Sequence, residues 1–178
     1  MNIELAAAAY LSSKTEAVAI HNQFSFVDTV YDDNQRACGT SACIAGHVIA
    51  FEHGGFDQLK KLSLTRRDRI IVYEAYLNLT GRRIDDNVYD TNLLCYFQLK
   101  DGSVVQAAVE AGLFKDKGDA IAYRKICRKV FYQTFSEEKA LAQFKKWVEE
   151  YSTEEEWAEF QALTNMDPNA LLKELEYA

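Results

Sequence analysis

The residues able to do chemistry crowd into one segment, Cys38-Gly39-Thr40-Ser41-Ala42-Cys43-Ile44-Ala45-Gly46-His47, with His53 shortly after it. A helix over Ala42–Glu52, capped by Thr40 or Ser41 and stopped at Gly54-Gly55, puts Cys43 and His47 one turn apart. A thiolate and an imidazole so placed offer two ligands to one metal ion. Cys38, just ahead of that cap, would meet free helix amides and the positive end of the dipole. Both lower a thiol's pKa and make it a better nucleophile.

Each role needs partners. A zinc site needs four ligands, and Cys38, Cys43, His47 and His53 match no common zinc spacing and lack the C-x-x-C knuckle. A nucleophilic Cys38 needs a base, with His47 as its candidate and His21 as a more distant one. The plainer account is packing. Cys43 is then a small core residue, Cys38-Gly39 a tight turn leading into the helix, and His47 a hydrogen-bonding partner of a nearby loop. Neither a metal nor a cofactor is expected, and catalysis is the alternative rather than the leading reading.

The elements that must position this segment read as helices. Ile3–Ser13 has high helix propensity throughout, and Thr15–His21 continues it after a break at Ser12-Ser13. Ala42, Gly46 and Ala50 recur every four residues, so one face of the next helix is small enough for close approach by another backbone. Further helices are expected from Thr65 to Leu79 with Gly81 as the stop, from Ser103 to Ala111, and from an Asp119 cap to about Tyr132. Three more start at Ser136, at the capping box Thr153/Glu156, and at Asp167-Pro168. Phe24–Asp28 and Tyr96–Lys100 are the stretches that fit an extended chain. The expected fold is therefore all-α, mainly helical with at most a short β element, in a single domain over 1–178.

Composition narrows the classes. The chain has 178 residues, 48% of them hydrophobic, which suffices for a core without staples. No stretch approaches the ~20 apolar residues that span a bilayer. The start, Met1-Asn2-Ile3-Glu4-Leu5, lacks the basic region of a secretory signal. Four cysteines in 178 residues are sparse for a disulfide framework. Reduced thiols in a cytoplasm are the expected state.

Charge is unevenly spread. Residues 136–178 hold eleven acids and four bases, a balance of −7 that accounts for the whole net charge. Glu149, Glu150, Glu154, Glu155, Glu156 and Glu159 form the densest part, a candidate partner-binding surface. Phe144, Trp147, Tyr151, Trp157 and Phe160 are interleaved with them, either as core packing or as interface anchors. A second, basic group, Arg124, Lys125, Arg128 and Lys129, makes a helical stripe that reads as a solvated face. The acidic balance argues against direct nucleic-acid binding.

Two resemblances bear on the cysteine segment. The order cysteine-glycine, three residues, cysteine at a helix head is similar to the nucleophile region of papain-like and bacteriocin-processing cysteine peptidases. Those families take their histidine from far downstream, and no histidine follows His53 here. The Cys-Gly-Thr-x-x-Cys-Ile-Ala-Gly-His signature, with Phe24-Ser25-Phe26 before it and Leu62-Ser63-Leu64-Thr65 after it, more specifically resembles small uncharacterised proteins of bacteriophages and bacteria. That resemblance covers residues 20–80 and implies a shared helical core without an established activity. Combined with the acidic helices, it implies a non-enzymatic phage-type accessory protein that binds and modulates a host protein, a nucleic-acid-processing assembly or a defence complex.

Overall fold

The computed structural model describes residues 1–15, 20–21, 28–31, 37–52, 68–82, 105–131 and 136–175; of the strand residues and residues 68–71 it places the backbone. Eight α-helices and one small sheet make up these residues, so the fold is mainly α. In chain order they are α1 (Ile3–Thr15), β1 (Ile20–His21), β2 (Asp28–Tyr31), β3 (Ala37–Ala42), α2 (Ile44–Glu52), α3 (Asp68–Leu79) and α4 (Val105–Glu110). Then follow α5 (Lys117–Ile126), running into a π-helical turn at Cys127–Phe131, α6 (Glu137–Tyr151), α7 (Glu154–Thr164) and α8 (Pro168–Glu174). No helix among the described residues is long and apolar enough to cross a membrane.

Helix α1 is buried on nearly every side. Ile3, Leu5, Ala6, Ala7, Ala8, Ala9, Leu11, Ser12 and Ser13 are all buried. A helix apolar all round belongs inside a core, and methyl side chains let its neighbours approach closely. Its neighbours are α2, α3, α6, α7 and α8. Asn2 caps it, accepting from the Leu5 N–H at 3.2 Å, while the Asn2 N–H donates to the Leu79 carbonyl at 2.8 Å and ties its start to the end of α3.

Helix α2 is as deeply placed. Every residue from Ile44 to Phe51 is buried, and the helix packs on α1 and α3. The expected central helix is therefore present, but it shares the centre with α1. Helix α3 ends at Gly81, where φ is +68° and the Arg82 N–H reaches back to the Leu77 carbonyl at 2.8 Å. Only a glycine enters that left-handed turn without strain. The same closure recurs at Gly112, with φ +77° and the Leu113 N–H on the Ala108 carbonyl at 3.1 Å.

Three local expectations are corrected. Residues 20–21 do not continue α1; they pair in parallel with Ser41 and Ala42 of β3. Thr40, Ser41 and Ala42 belong to that same strand rather than to a helix cap, so α2 starts at Ile44. β-Branched Ile20, Thr29, Val30 and Thr40 fit a pleated ladder, and pairing between separated segments overrides the local capping pattern. Asp116, not Asp119, is the N-cap of α5, accepting from the Asp119 N–H at 2.9 Å. The expected Ser136, Thr153 and Asp167 caps are all in place. The Thr65 start, Phe24–Val27, Tyr96–Lys100 and Ser103 lie outside the described residues.

The close packing around α1 predicts a steric limit. Ala7→Leu and Ala8→Leu should each lower stability by about 1–3 kcal/mol through overpacking, seen as a lower urea midpoint at unchanged slope. Glu4→Ala, on the exposed part of the same helix, should leave the midpoint nearly unmoved.

Candidate functional site

The cysteine segment comes apart into a strand and a helix. β3 is the central strand of its sheet, antiparallel to β2 and parallel to β1. Its register with β2 jumps from Val30↔Gly39 to Tyr31↔Ala37, leaving Cys38 as the extra residue of a β-bulge. Cys38 therefore does not stand at a helix N-terminus, and the dipole argument for its activation does not apply. His21 pairs with Ala42, four residues along the same strand from Cys38, a backbone separation of roughly 13 Å. That exceeds the span of a directly hydrogen-bonded cysteine–histidine pair.

The other members of the segment are packed away. Cys43 is 2% exposed, and His47 is wholly buried. The His47 ring lies 2.9 Å from the Ser12 hydroxyl through Nδ1, so a side chain of α1 is one of its partners. Among the described residues, no three His, Cys, Asp or Glu side chains gather in a way that could hold a metal ion. Cys127, on the π-helical turn, is also wholly buried, and burial pushes its thiol well above the usual range. His53 lies outside the described residues.

The C-terminal helices hold the most open cluster of functional-type residues. Between Lys146 and Lys173 the chain has seven acids and no base. The amphipathic period of α6 turns Phe144, Trp147 and Val148 inward and leaves Glu149 and Glu150 outside. Trp147 is anchored by its indole N–H, which donates to the Ala122 carbonyl at 3.0 Å, and its ring stacks with Phe144. Helix α7 buries Phe160 against Tyr10 of α1 and half-buries Trp157, over which Lys145 sits. The interleaved aromatics thus serve the core, and the candidate surface is polar.

The six glutamates fall into two groups. Glu150 forms an ion pair with Lys125 of α5. Glu156 completes the α7 capping box with Thr153 and also pairs with the N-terminal ammonium of Met1. The Met1 ammonium, together with the Thr153 N–H, draws the Glu156 carboxyl below its usual range. Glu149, Glu154, Glu155 and Glu159 are exposed and form no ion pair among the described residues. Glu154 and Glu155 also lie in the first turn of α7, where the dipole favours negative charge.

Beside this face lies a polar node absent from the sequence expectations. The Asp119 carboxylate accepts from the Tyr76 hydroxyl, from Arg82, and from the Lys115 N–H at 2.7 Å. Burial, followed by the bond to Asp119, pushes the Tyr76 phenol far above its usual range. A cavity of about 470 Å³ opens here, bordered by Thr80, Arg82, Lys115, Asp116 and Tyr151. The only sequence signal was the spacing Asp116-x-x-Asp119, which marks a cap but not which aspartate does the capping.

Comparison with protein-family models, with curated proteins and with solved structures yields no match to this chain.

Two measurements test this geometry. Asp119→Ala removes the acceptor of Arg82 and of the Lys115 N–H and one of two acceptors of the Tyr76 hydroxyl, which keeps the Asp119 carbonyl at 2.9 Å. With Asp119 only 12% exposed, it should cost about 1–3 kcal/mol in chemical denaturation. Glu156→Gln keeps the capping-box geometry but removes the charge, and should cost about 0.5–1 kcal/mol at neutral pH. The folded state holds Glu156 ionised more firmly than the unfolded chain does. Its contribution is complete above the unfolded-state pKa and is lost as pH falls through the depressed folded value. The acid limb of the stability profile should therefore be shallower in Glu156→Gln than in the parent.

Proposed function

We propose that this chain is a non-enzymatic, phage-type accessory protein that captures a host protein or nucleic-acid-processing complex through the acidic face of α6 and α7. The observation that carries the reading is the charge separation on these helices. Glu149, Glu154, Glu155 and Glu159 point to solvent without an ion-pair partner among the described residues, while the aromatics between them are turned inward. An array of carboxylates on a rigid helical frame suits a surface that ordinarily receives phosphates, because both ligands present anionic oxygen to arginine and lysine. The resemblance of residues 20–80 to small phage and bacterial proteins supports the setting, a bacterial cytoplasm.

The test is capture from host lysate by the parent and by Glu154→Lys/Glu155→Lys/Glu159→Lys, with circular dichroism to establish that the variant folds. The expected outcome is a defined partner retained by the parent, lost at least tenfold by the variant, and displaced by added duplex DNA. A folded variant that captures the same partner equally well rules out the acidic face. Indifference to DNA rules out the phosphate-like role.

A further inference from the structure

Helix α5 and its π-helical continuation carry a charge pattern opposite to that of α6 and α7. Arg124, Lys125, Arg128 and Lys129 recur at helical spacing on one face, and Ile121 lies one turn before them. Among the described residues, these five line a shallow groove of about 390 Å³. Ile121 is 54% exposed, the most open large hydrophobic side chain among the described residues. Asp119, the one acid of α5, is turned away to Tyr76 and Arg82. The groove is cationic with an apolar end.

The basic stripe and the acidic face are neighbours. Lys125 bonds Glu150 at the C-terminal end of α6 and lies over the Tyr151 ring at 5.6 Å, so this bridge marks the border between the two fields. Glu149 lies on the acidic side of it, and α7 begins three residues after Tyr151. Opposite charge fields that meet at one border, here Lys125–Glu150, become self-complementary under a two-fold axis. The basic stripe of each copy then meets the acidic face of the other, and the match is made twice.

We infer that a second copy of this chain docks on this surface, with Arg124, Arg128 and Lys129 of each protomer against Glu154, Glu155 and Glu159 of its partner. Charge complementarity selects this occupant. A nucleic-acid strand in the groove would meet Glu150 at its border, whereas a second copy brings carboxylates to the basic stripe and cations to the acidic face. The association is weak and salt-sensitive, because its contacts are solvent-exposed ion pairs with one apolar side chain per copy. It deepens the proposed function and rests on it in one respect: the dimer covers the face that would capture the partner, so self-association competes with capture.

The experiment is sedimentation velocity and light scattering of the full chain at concentrations up to about 0.5 mM, in about 50 mM and about 500 mM salt. The expected result is a monomer–dimer equilibrium that weakens at least tenfold across that salt range. Arg124→Glu/Arg128→Glu/Lys129→Glu should be monomeric throughout, as should Glu154→Lys/Glu155→Lys/Glu159→Lys. An equimolar mixture of these two reversed variants should again form dimers, since each then presents the complement of the other. A parent that stays monomeric at the highest concentration and lowest salt overturns the inference. So does a dimer indifferent to salt and to the basic-stripe variant. Failure here is distinct from failure of the acidic-face reading, because the basic-stripe variant keeps every glutamate and should still capture the host partner.

Discussion

The contact of α1 with α2, α6, α7 and α8 is the constraint on which the other elements depend. Ala6, Ala7, Ala8 and Ala9 are wholly buried together, so four successive directions around one helix are all interior. Alanine is the side chain that permits this, because it combines the highest helix propensity with the least bulk. Large residues are then supplied by the neighbours. Ile44 and Ile49 come from α2, Phe144 and Trp147 from α6, and Phe160 from α7.

The C-terminal helices are held by this core rather than appended to it. Trp147 reaches α5 through the Ala122 carbonyl, Phe160 meets Tyr10 of α1, and Glu156 holds the Met1 ammonium. Once the aromatic face of α6 and α7 is committed inward, the alternating glutamates have no place except the solvent side. The charge of the surface is thus a consequence of the packing period as much as of composition. Lys125 and Glu150 then draw the line at which the negative field gives way to the positive stripe of α5.

Several features were legible because they are local. The caps at Ser136, Thr153 and Asp167 and the stop at Gly81 rest on contacts within a few residues. The strand content was much less so. Thr40-Ser41 ahead of an apolar run reads as a cap, yet it pairs with Ile20 and Asp28, residues separated from it along the chain. Nothing within a short window shows that ladder, and the same blindness assigned Cys38 to a helix head instead of a β-bulge. Asp119 was misread for a related reason. Asp116 and Asp119 are chemically equal candidates for one cap, and what separates them is Tyr76 and Arg82 arriving from α3 and the residue beyond its glycine stop.

By itself, the sequence determined that the chain is mainly helical, that it opens on an alanine-rich helix, that the helix ending near Glu52 is an inner one, and that negative charge gathers near the C-terminus. Each of these follows from propensity, periodicity and composition, which are properties of residues and their near neighbours. Only the tertiary structure decided that the interleaved aromatics face the core, and that Glu150 and Glu156 are engaged while Glu149, Glu154, Glu155 and Glu159 lie open. It alone paired His47 with Ser12 and placed the cationic stripe against the acidic face. These outcomes depend on which distant surfaces meet, and burial, hydrogen-bond partnership and field all arise at that meeting.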